Sequence, residues 1–152
     1  MLANFFDKSV NDAVIARIQQ LTPESKALRG KMSVAQMLAH CSVSFEYGFE
    51  PEKHPRPNRF MRLLITLMAK KMVVSDTPFP HNGRTAPDMV ISDERDFAFE
   101  KARLMDFISR VQAQGANFYD GLESHSFGKL TRQEWSNLFY KHLDHHLKQF
   151  GV

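Results

Sequence analysis

The stretch that decides the fold is residues 140–152, which reads YKHLDHHLKQFGV. Apolar residues recur there at helical spacing, which predicts an amphipathic helix. His142 and His146 are four residues apart, so both lie on one face of that helix. Each residue turns a helix by about 100°, which points both imidazoles towards the apolar side and leaves His145 at its edge. The helix therefore presents two histidines towards the protein interior.

Two imidazoles on one helical face suit a bound metal ion, but they do not specify one. The same pattern is expected of two core histidines that are satisfied by hydrogen bonds. It is also expected of a basic helix end that complements the helix dipole. A metal site would need a third ligand from elsewhere in the chain.

The candidate third ligand is His40. Ser33 and Gln36 form the pattern of a capping box, which predicts that a helix begins at Ser33. His40 then lies about 10 Å along this helix, while His146 and His142 lie about 6 and 12 Å from the end of the last helix. If the two helices pack antiparallel, the three imidazoles meet at one level. We therefore predict a three-histidine site for a divalent metal ion, zinc or nickel.

The remaining periodicity predicts an all-α protein. Ser9 and Ser92 are expected to cap the first and third helices, and Gly115 to end the third. Thr131 and Glu134 form a second capping box, which opens the last helix. More than forty residues separate the second and third helices, so we predict a four-helix bundle with one long crossover. The predicted main helices cover residues 9–21, 33–47, 93–114 and 132–150.

The crossover contains a predicted extra helix over residues 59–74. It follows a proline-rich extended linker at residues 50–57 and precedes an irregular loop at residues 75–91, which we place near the mouth of the metal site. The apolar run is too short to span a bilayer, which takes about 20 residues, so no stable membrane insertion is expected. Packing on the bundle or on a second subunit is favoured over binding to a membrane surface. We therefore expect a homodimer.

Three segments carry a family resemblance: MLAHC at residues 37–41, TRQEW at 131–135 and KHLDHHLKQFG at 141–151. With them the chain resembles the DinB-like, YfiT-like superfamily of small bacterial four-helix metalloproteins, and within it an uncharacterised branch. The resemblance implies that His40, His142 and His146 hold a divalent metal. It also implies dimers, and chemistry like that of thiol-dependent transferases and isomerases that use bacillithiol, mycothiol or glutathione.

Composition indicates one soluble globular domain over residues 1–152. Hydrophobic residues make up 43% of the chain and charged residues 24%, which is ordinary for such a domain. The net charge of +3 is small and scattered, so nucleic acid is not an expected partner. The lone Cys41 excludes an intramolecular disulfide and suits a reducing compartment. The first residues lack the pattern of a signal peptide, so a cytoplasmic location is expected.

For the other reactive side chains we expect mainly structural or surface roles. Cys41 is expected to be a small buried residue. His54, His81 and His125 lie in predicted loops as surface histidines, although His81 or His125 could approach an open metal position. Tyr47 shares a helical face with the histidine of the second helix, where it could line a pocket or donate a proton.

Two classes of function remain open at the level of sequence. A metal-dependent enzyme, a thiol S-transferase or a hydrolase, would use a coordination position that the three imidazoles leave for water, a small-molecule thiol or another substrate. A non-catalytic structural or interaction module would use the metal only to hold two helices together. An open site lined by polar groups would favour the enzyme, and a fourth protein ligand the module.

Overall fold

The computed structural model describes residues 2–80 and 86–152. Within these ranges the chain is mostly helical, as predicted, with one small antiparallel hairpin of strands β1 and β2. Single 3-10 turns lie at Pro51–Lys53 and Pro87–Met89. The described elements are α1 (Lys8–Gln20), α2 (Val34–Phe49), α3 (Arg59–Val74), α4 (Phe97–Gln114), α5 (Ala116–Tyr119), β1 (Glu123–Ser124), β2 (Gly128–Lys129) and α6 (Arg132–Gln149).

The two helices that carry the predicted site begin at the predicted capping boxes. The Ser33 hydroxyl accepts a hydrogen bond from the backbone N–H of Gln36, and the Gln36 side chain accepts one from the backbone N–H of Ser33. Thr131 and Glu134 make the same reciprocal pair at the start of α6. Each box satisfies two backbone donors that the first turn of a helix leaves without a partner. The starts of both helices are therefore fixed by local sequence.

Two other predicted helix caps are wrong. α1 follows Asp7 rather than Ser9, and neither side chain caps it. α4 is capped by Asp96, whose carboxylate accepts from the backbone N–H of Phe99 at 2.7 Å, and not by Ser92. The physical reason is a tertiary contact, because the carbonyl oxygen of Asp93 accepts a hydrogen bond from a side chain of α2 and keeps this segment outside the helix.

The crossover contains the predicted extra helix, α3, with the predicted bounds. The preceding linker is not fully extended, because it includes the 3-10 turn Pro51–Lys53. The hairpin and the one-turn helix α5 were not predicted, since strands of two residues are too short to show an alternating pattern. Among the described residues, no helix has the length and apolarity needed to cross a membrane.

Aromatic side chains join α2, α4 and α6. Phe45 of α2 stacks on Phe107 of α4 at 5.9 Å and on Phe139 of α6 at 4.9 Å, measured between ring centroids. Earlier on α2, the ring of His40 lies 4.5 Å from that of His146, which comes later on α6 than Phe139. Contacts thus move back along α6 as they move forward along α2, so the two helices are antiparallel. α1 completes the packing through contacts with α4 and α6.

Candidate metal centre

Three histidines lie together where α2 packs against α6. His40 comes from α2, and His142 and His146 come from successive turns of α6. One ring nitrogen from each histidine lies within 4.8 Å of those of the other two. All three side chains are buried, with at most 9% exposure. The antiparallel packing thus brings the three predicted residues to one level, and we call them the histidine cluster.

The proton on His40 is positioned by a backbone carbonyl group. His40 Nδ1 lies 2.7 Å from the carbonyl oxygen of Met89. A carbonyl oxygen can only accept a hydrogen bond, so Nδ1 carries the proton of the neutral ring and Nε2 keeps its lone pair. That Nε2 atom faces Nε2 of His142 at 3.0 Å. An acceptor on the outer ring nitrogen is the usual arrangement of a metal-binding histidine.

His146 is oriented in the same way by an amide. Its Nδ1 lies 2.9 Å from Gln149 Oε1, while Gln149 Nε2 donates to the carbonyl oxygen of Arg29 at 2.7 Å. Because the amide nitrogen is engaged by that carbonyl, the amide oxygen faces the ring and accepts from Nδ1–H. Nε2 of His146 therefore also keeps its lone pair. Sequence reasoning missed both Met89 and Gln149.

Burial keeps the three imidazoles neutral. It lowers the pKa of His40, with a smaller opposing effect from the hydrogen bond to Met89. It lowers the pKa of His142 well below its ordinary value, and the neighbouring imidazoles lower it further. It lowers the pKa of His146 to about 3. Neutral rings are the form that binds metals, because a protonated nitrogen has no lone pair to offer.

The donor set fits a divalent ion such as zinc. Zinc binds imidazole nitrogen at about 2.0–2.1 Å, which places two ligands of a tetrahedral site about 3.3 Å apart. The nitrogen atoms of the cluster span distances up to 4.8 Å, with 3.0 Å between the Nε2 atoms of His40 and His142. Side-chain movements of about 1 Å would bring the three nitrogen atoms to the ligand spacing of a tetrahedral zinc site. No carboxylate or thiolate from the described residues joins these three nitrogen donors.

Two neighbours of the cluster lie as predicted. His145 is only partly buried, at the edge of the helical face, and its ring lies 5.0 Å from His146 and 5.7 Å from Phe79. Cys41 is buried in the core, where its Sγ lies 3.7 Å from Met37 Sδ. Burial raises the pKa of the Cys41 thiol, so the thiolate is disfavoured at neutral pH.

The prediction for His125 needs correction, and the one for His81 cannot be compared with the structure. His81 falls outside the described residues. His125 is not a surface histidine, because it is only 7% exposed. Its ring stacks on Tyr47 at a centroid distance of 4.1 Å, and its Nε2 lies 3.1 Å from the carbonyl oxygen of His54. His125 therefore has partners of its own, separate from the histidine cluster.

Tyr47 also belongs to this second group, which we call the polar cluster. The Tyr47 hydroxyl donates to Asp88 at 2.7 Å, and His54 Nε2 lies 2.5 Å from a carboxylate oxygen of Glu46. Burial and the neighbouring carboxylates raise the pKa of Tyr47, so the phenol stays protonated. The polar cluster comprises Glu46, Tyr47, His54, Asp88 and His125.

The turn Pro87–Met89 connects the two clusters. Its Met89 carbonyl oxygen holds His40, and its Asp88 carboxylate holds Tyr47. The described end of the 75–91 loop therefore touches His40, while its predicted place near the mouth of a metal site stays a prediction. The turn therefore contacts both the polar cluster and the histidine cluster.

The start of the same loop is held by a lysine that sequence reasoning missed. Lys141 is buried, and its Nζ donates to the carbonyl oxygens of Met72, Ser75 and Thr77 at 2.6–2.9 Å. Burial lowers its pKa to about 8. Because Lys141 precedes His142 in the chain, α6 holds the end of α3 at the same level as the histidine cluster.

We expect the metal-free protein to lose stability as pH falls below 6.5. In the unfolded chain His146 takes up a proton below pH 6.5, whereas in the folded protein its pKa is about 3. Acid therefore favours unfolding between pH 6.5 and about pH 3. For this group alone the loss from pH 7.5 to pH 5 should be about 2 kcal/mol. Urea unfolding in the presence of a chelator measures it. The free energy of unfolding of His146→Gln should fall by that much less over the same pH range. An equal fall in the parent and the variant would contradict the lowered pKa of His146.

Together, the fold and the histidine cluster define a mostly helical protein with a buried candidate metal centre. The family model described as "Protein of unknown function (DUF1569)" matches residues 6–151. The chain therefore belongs to the DUF1569 family. No curated protein and no solved structure matches the chain.

The predicted membership in the DinB-like superfamily is wrong, because the matching family is a distinct one and no DinB-like family model matches. The segments behind that prediction encode a helix cap and histidines on two packed helices. Such features are required of helical metal sites in general and do not distinguish families. The thiol-cofactor chemistry rested on the resemblance alone, and it loses that basis.

Proposed function

We propose that this protein binds one divalent metal ion through the Nε2 atoms of His40, His142 and His146, and that it is a metal-dependent hydrolase. One observation carries the proposal: three buried, neutral imidazoles converge, and two of them are oriented by acceptors on Nδ1. We further propose that α1, α2, α4 and α6 form a four-helix bundle as the scaffold of this site.

Catalysis is favoured by the number of protein ligands. Among residues 2–80 and 86–152, no fourth histidine, cysteine or carboxylate joins the cluster. Three imidazole ligands leave a coordination position for water or substrate, and a divalent ion there would acidify a bound water to a pKa near 7. The protein's own contribution is to fix the tautomers of His40 and His146 and to exclude bulk water by burial. A small-molecule thiolate is the other ligand suited to that position.

A non-catalytic role is the second candidate, and burial supports it. The three histidines are at most 9% exposed, and they connect α2 to α6. A metal bound between two helices would stabilise their packing even without turnover. In this case the ion would be a structural part of the fold and of any interaction surface built on it.

Cobalt(II) separates the two candidates, since its visible spectrum reports the number and type of ligands. For the enzyme we expect one cobalt ion per chain and a spectrum that changes when azide or a small thiol is added. A spectrum that stays unchanged when azide or the thiol is added would favour the structural role. Failure of cobalt, zinc and nickel to bind would overturn both. His145→Ala serves as the control and should give the parent's spectrum. Screens with ester, amide and thiol-transfer substrates then test the reaction class.

A further inference from the structure

The outward side of α3 is apolar and exposed. Leu67 and Met68, near the middle of the helix, are 74% and 84% exposed. Monomeric soluble proteins seldom expose a contiguous apolar surface of this kind, and large ones mark interaction sites. We call this surface the α3 face, and it comprises Phe60, Met61, Leu63, Leu67, Met68 and Met72.

The other side of α3 is attached to the body of the protein by polar contacts. Arg62 pairs with Glu123 at 2.5 Å and Lys70 with Glu134 at 3.1 Å. Lys141 of α6 also holds the carbonyl groups at the end of the helix. α3 would have to break these contacts to roll inward and bury its apolar face, so the described position of the helix leaves this face available to a partner.

The area of the α3 face suits a protein partner. The exposures of its six side chains, at 41–84% each, amount to almost four fully exposed large apolar residues. At about 150–250 Å² per side chain, the range for aromatic residues, this gives an upper range of roughly 560–930 Å². A standard interface buries about 800 Å² on each partner. The α3 face therefore has nearly the area that one partner buries in a stable interface.

The geometry points to a second copy of this chain as the partner. We propose that two α3 helices pack antiparallel about a two-fold axis near Leu67, so that Phe60 of each copy approaches Met72 of the other. A two-fold interface joins one patch to itself, which suits a face whose large exposed side chains are apolar. Antiparallel packing also opposes the two helix dipoles favourably. This inference does not depend on the metal site.

An anionic membrane is the competing occupant, and charge disfavours it. Surface-binding helices rely on basic residues that are available to lipid headgroups. Two of the basic residues of α3, Arg62 and Lys70, are engaged by Glu123 and Glu134 within the chain. Arg59 and Lys71 remain exposed, so the electrostatic attraction that would hold α3 on such a surface is reduced to those two side chains, whereas pairing with another copy relies on the apolar area.

Sedimentation velocity at micromolar concentration tests the proposal. We expect the parent to sediment at twice the 17.5 kDa chain mass. Leu67→Glu should sediment as a folded monomer, with a dissociation constant raised at least about a hundredfold, because each copy would have to bury a carboxylate at the centre of the interface. Met68→Glu should behave in the same way and covers the case in which the first variant fails to fold.

The matched control is Phe99→Glu, which adds the same charge at a 61% exposed site on α4 and should leave the dimer intact. A monomeric parent, or dimeric Leu67→Glu and Met68→Glu variants, would overturn the proposal. So would a parent that is monomeric in buffer and binds phosphatidylglycerol vesicles through the α3 face.

Discussion

Replacing His142 with alanine should remove almost all of the stability that the protein gains from a metal ion. The ring of His142 lies 4.9 Å from those of both His40 and His146, between ring centroids, and those two rings lie 4.5 Å apart, so His142 is one of three mutually adjacent members of the proposed ligand set. A ligand bound only by the folded state stabilises it by about 2.7 kcal/mol at a hundred times its dissociation constant. Urea unfolding with zinc and with a chelator should show this difference in the parent and almost none in the variant.

The matched control for this experiment is His145→Ala. His145 is a neighbour on the same helix, but it stands outside the histidine cluster, so its variant should retain the zinc-dependent gain. The competing interpretation is that the three histidines are ordinary core residues. In that case the parent would gain nothing from zinc, and His142→Ala would lose the same stability with and without a chelator. Loss of the gain in His145→Ala and its retention in His146→Ala would mean that we chose the wrong residue of α6.

Truncating Phe45 to alanine should destabilise the protein by about 3–5 kcal/mol, even without metal. Such losses are typical of buried phenylalanines, because the change removes apolar burial and leaves a cavity. Phe45 is 1% exposed and stacks on Phe107 and Phe139, so one side chain supports the packing of α2 against both α4 and α6. Most small domains are stable by only about 5–15 kcal/mol, so this loss is a large fraction of the total.

Chemical denaturation of chelated protein measures this effect, and Phe99→Ala is its control. Phe99 is 61% exposed on α4, so its truncation should change stability by no more than about 0.5 kcal/mol. Phe45→Leu keeps most of the apolar volume and should lose less than Phe45→Ala. Equal stability of the Phe45→Ala and Phe99→Ala variants would contradict the described core.

The parts of the fold that could be predicted are those encoded by neighbouring residues. The capping boxes at Ser33 and Thr131 define the starts of α2 and α6 from four residues each. Helical geometry then places His40 and the two histidines of α6 at matching depths. The meeting of the three rings followed from local rules together with one assumption, that α2 and α6 are antiparallel.

The parts that could not be predicted depend on tertiary contacts. The carbonyl group of Met89 orients His40, and any residue at that position offers the same backbone group, so no sequence signal exists. Gln149 offered a signal, since it lies three residues after His146 on the same helix. The burial of His125 on Tyr47 depends on the turn of a hairpin whose strands have two residues each. α4 begins later than predicted because the side chain of Gln36 in α2 donates a hydrogen bond to the carbonyl oxygen of Asp93.

The most direct test of the proposed metal centre is a titration of the chelator-treated parent with zinc, followed by calorimetry, beside His142→Ala and His145→Ala. We predict one zinc ion per chain for the parent and for His145→Ala, released by excess chelator, and a loss of affinity of at least about a hundredfold for His142→Ala. Equal zinc binding by the parent and His142→Ala, or no zinc or nickel binding by the parent, would contradict the three-histidine site.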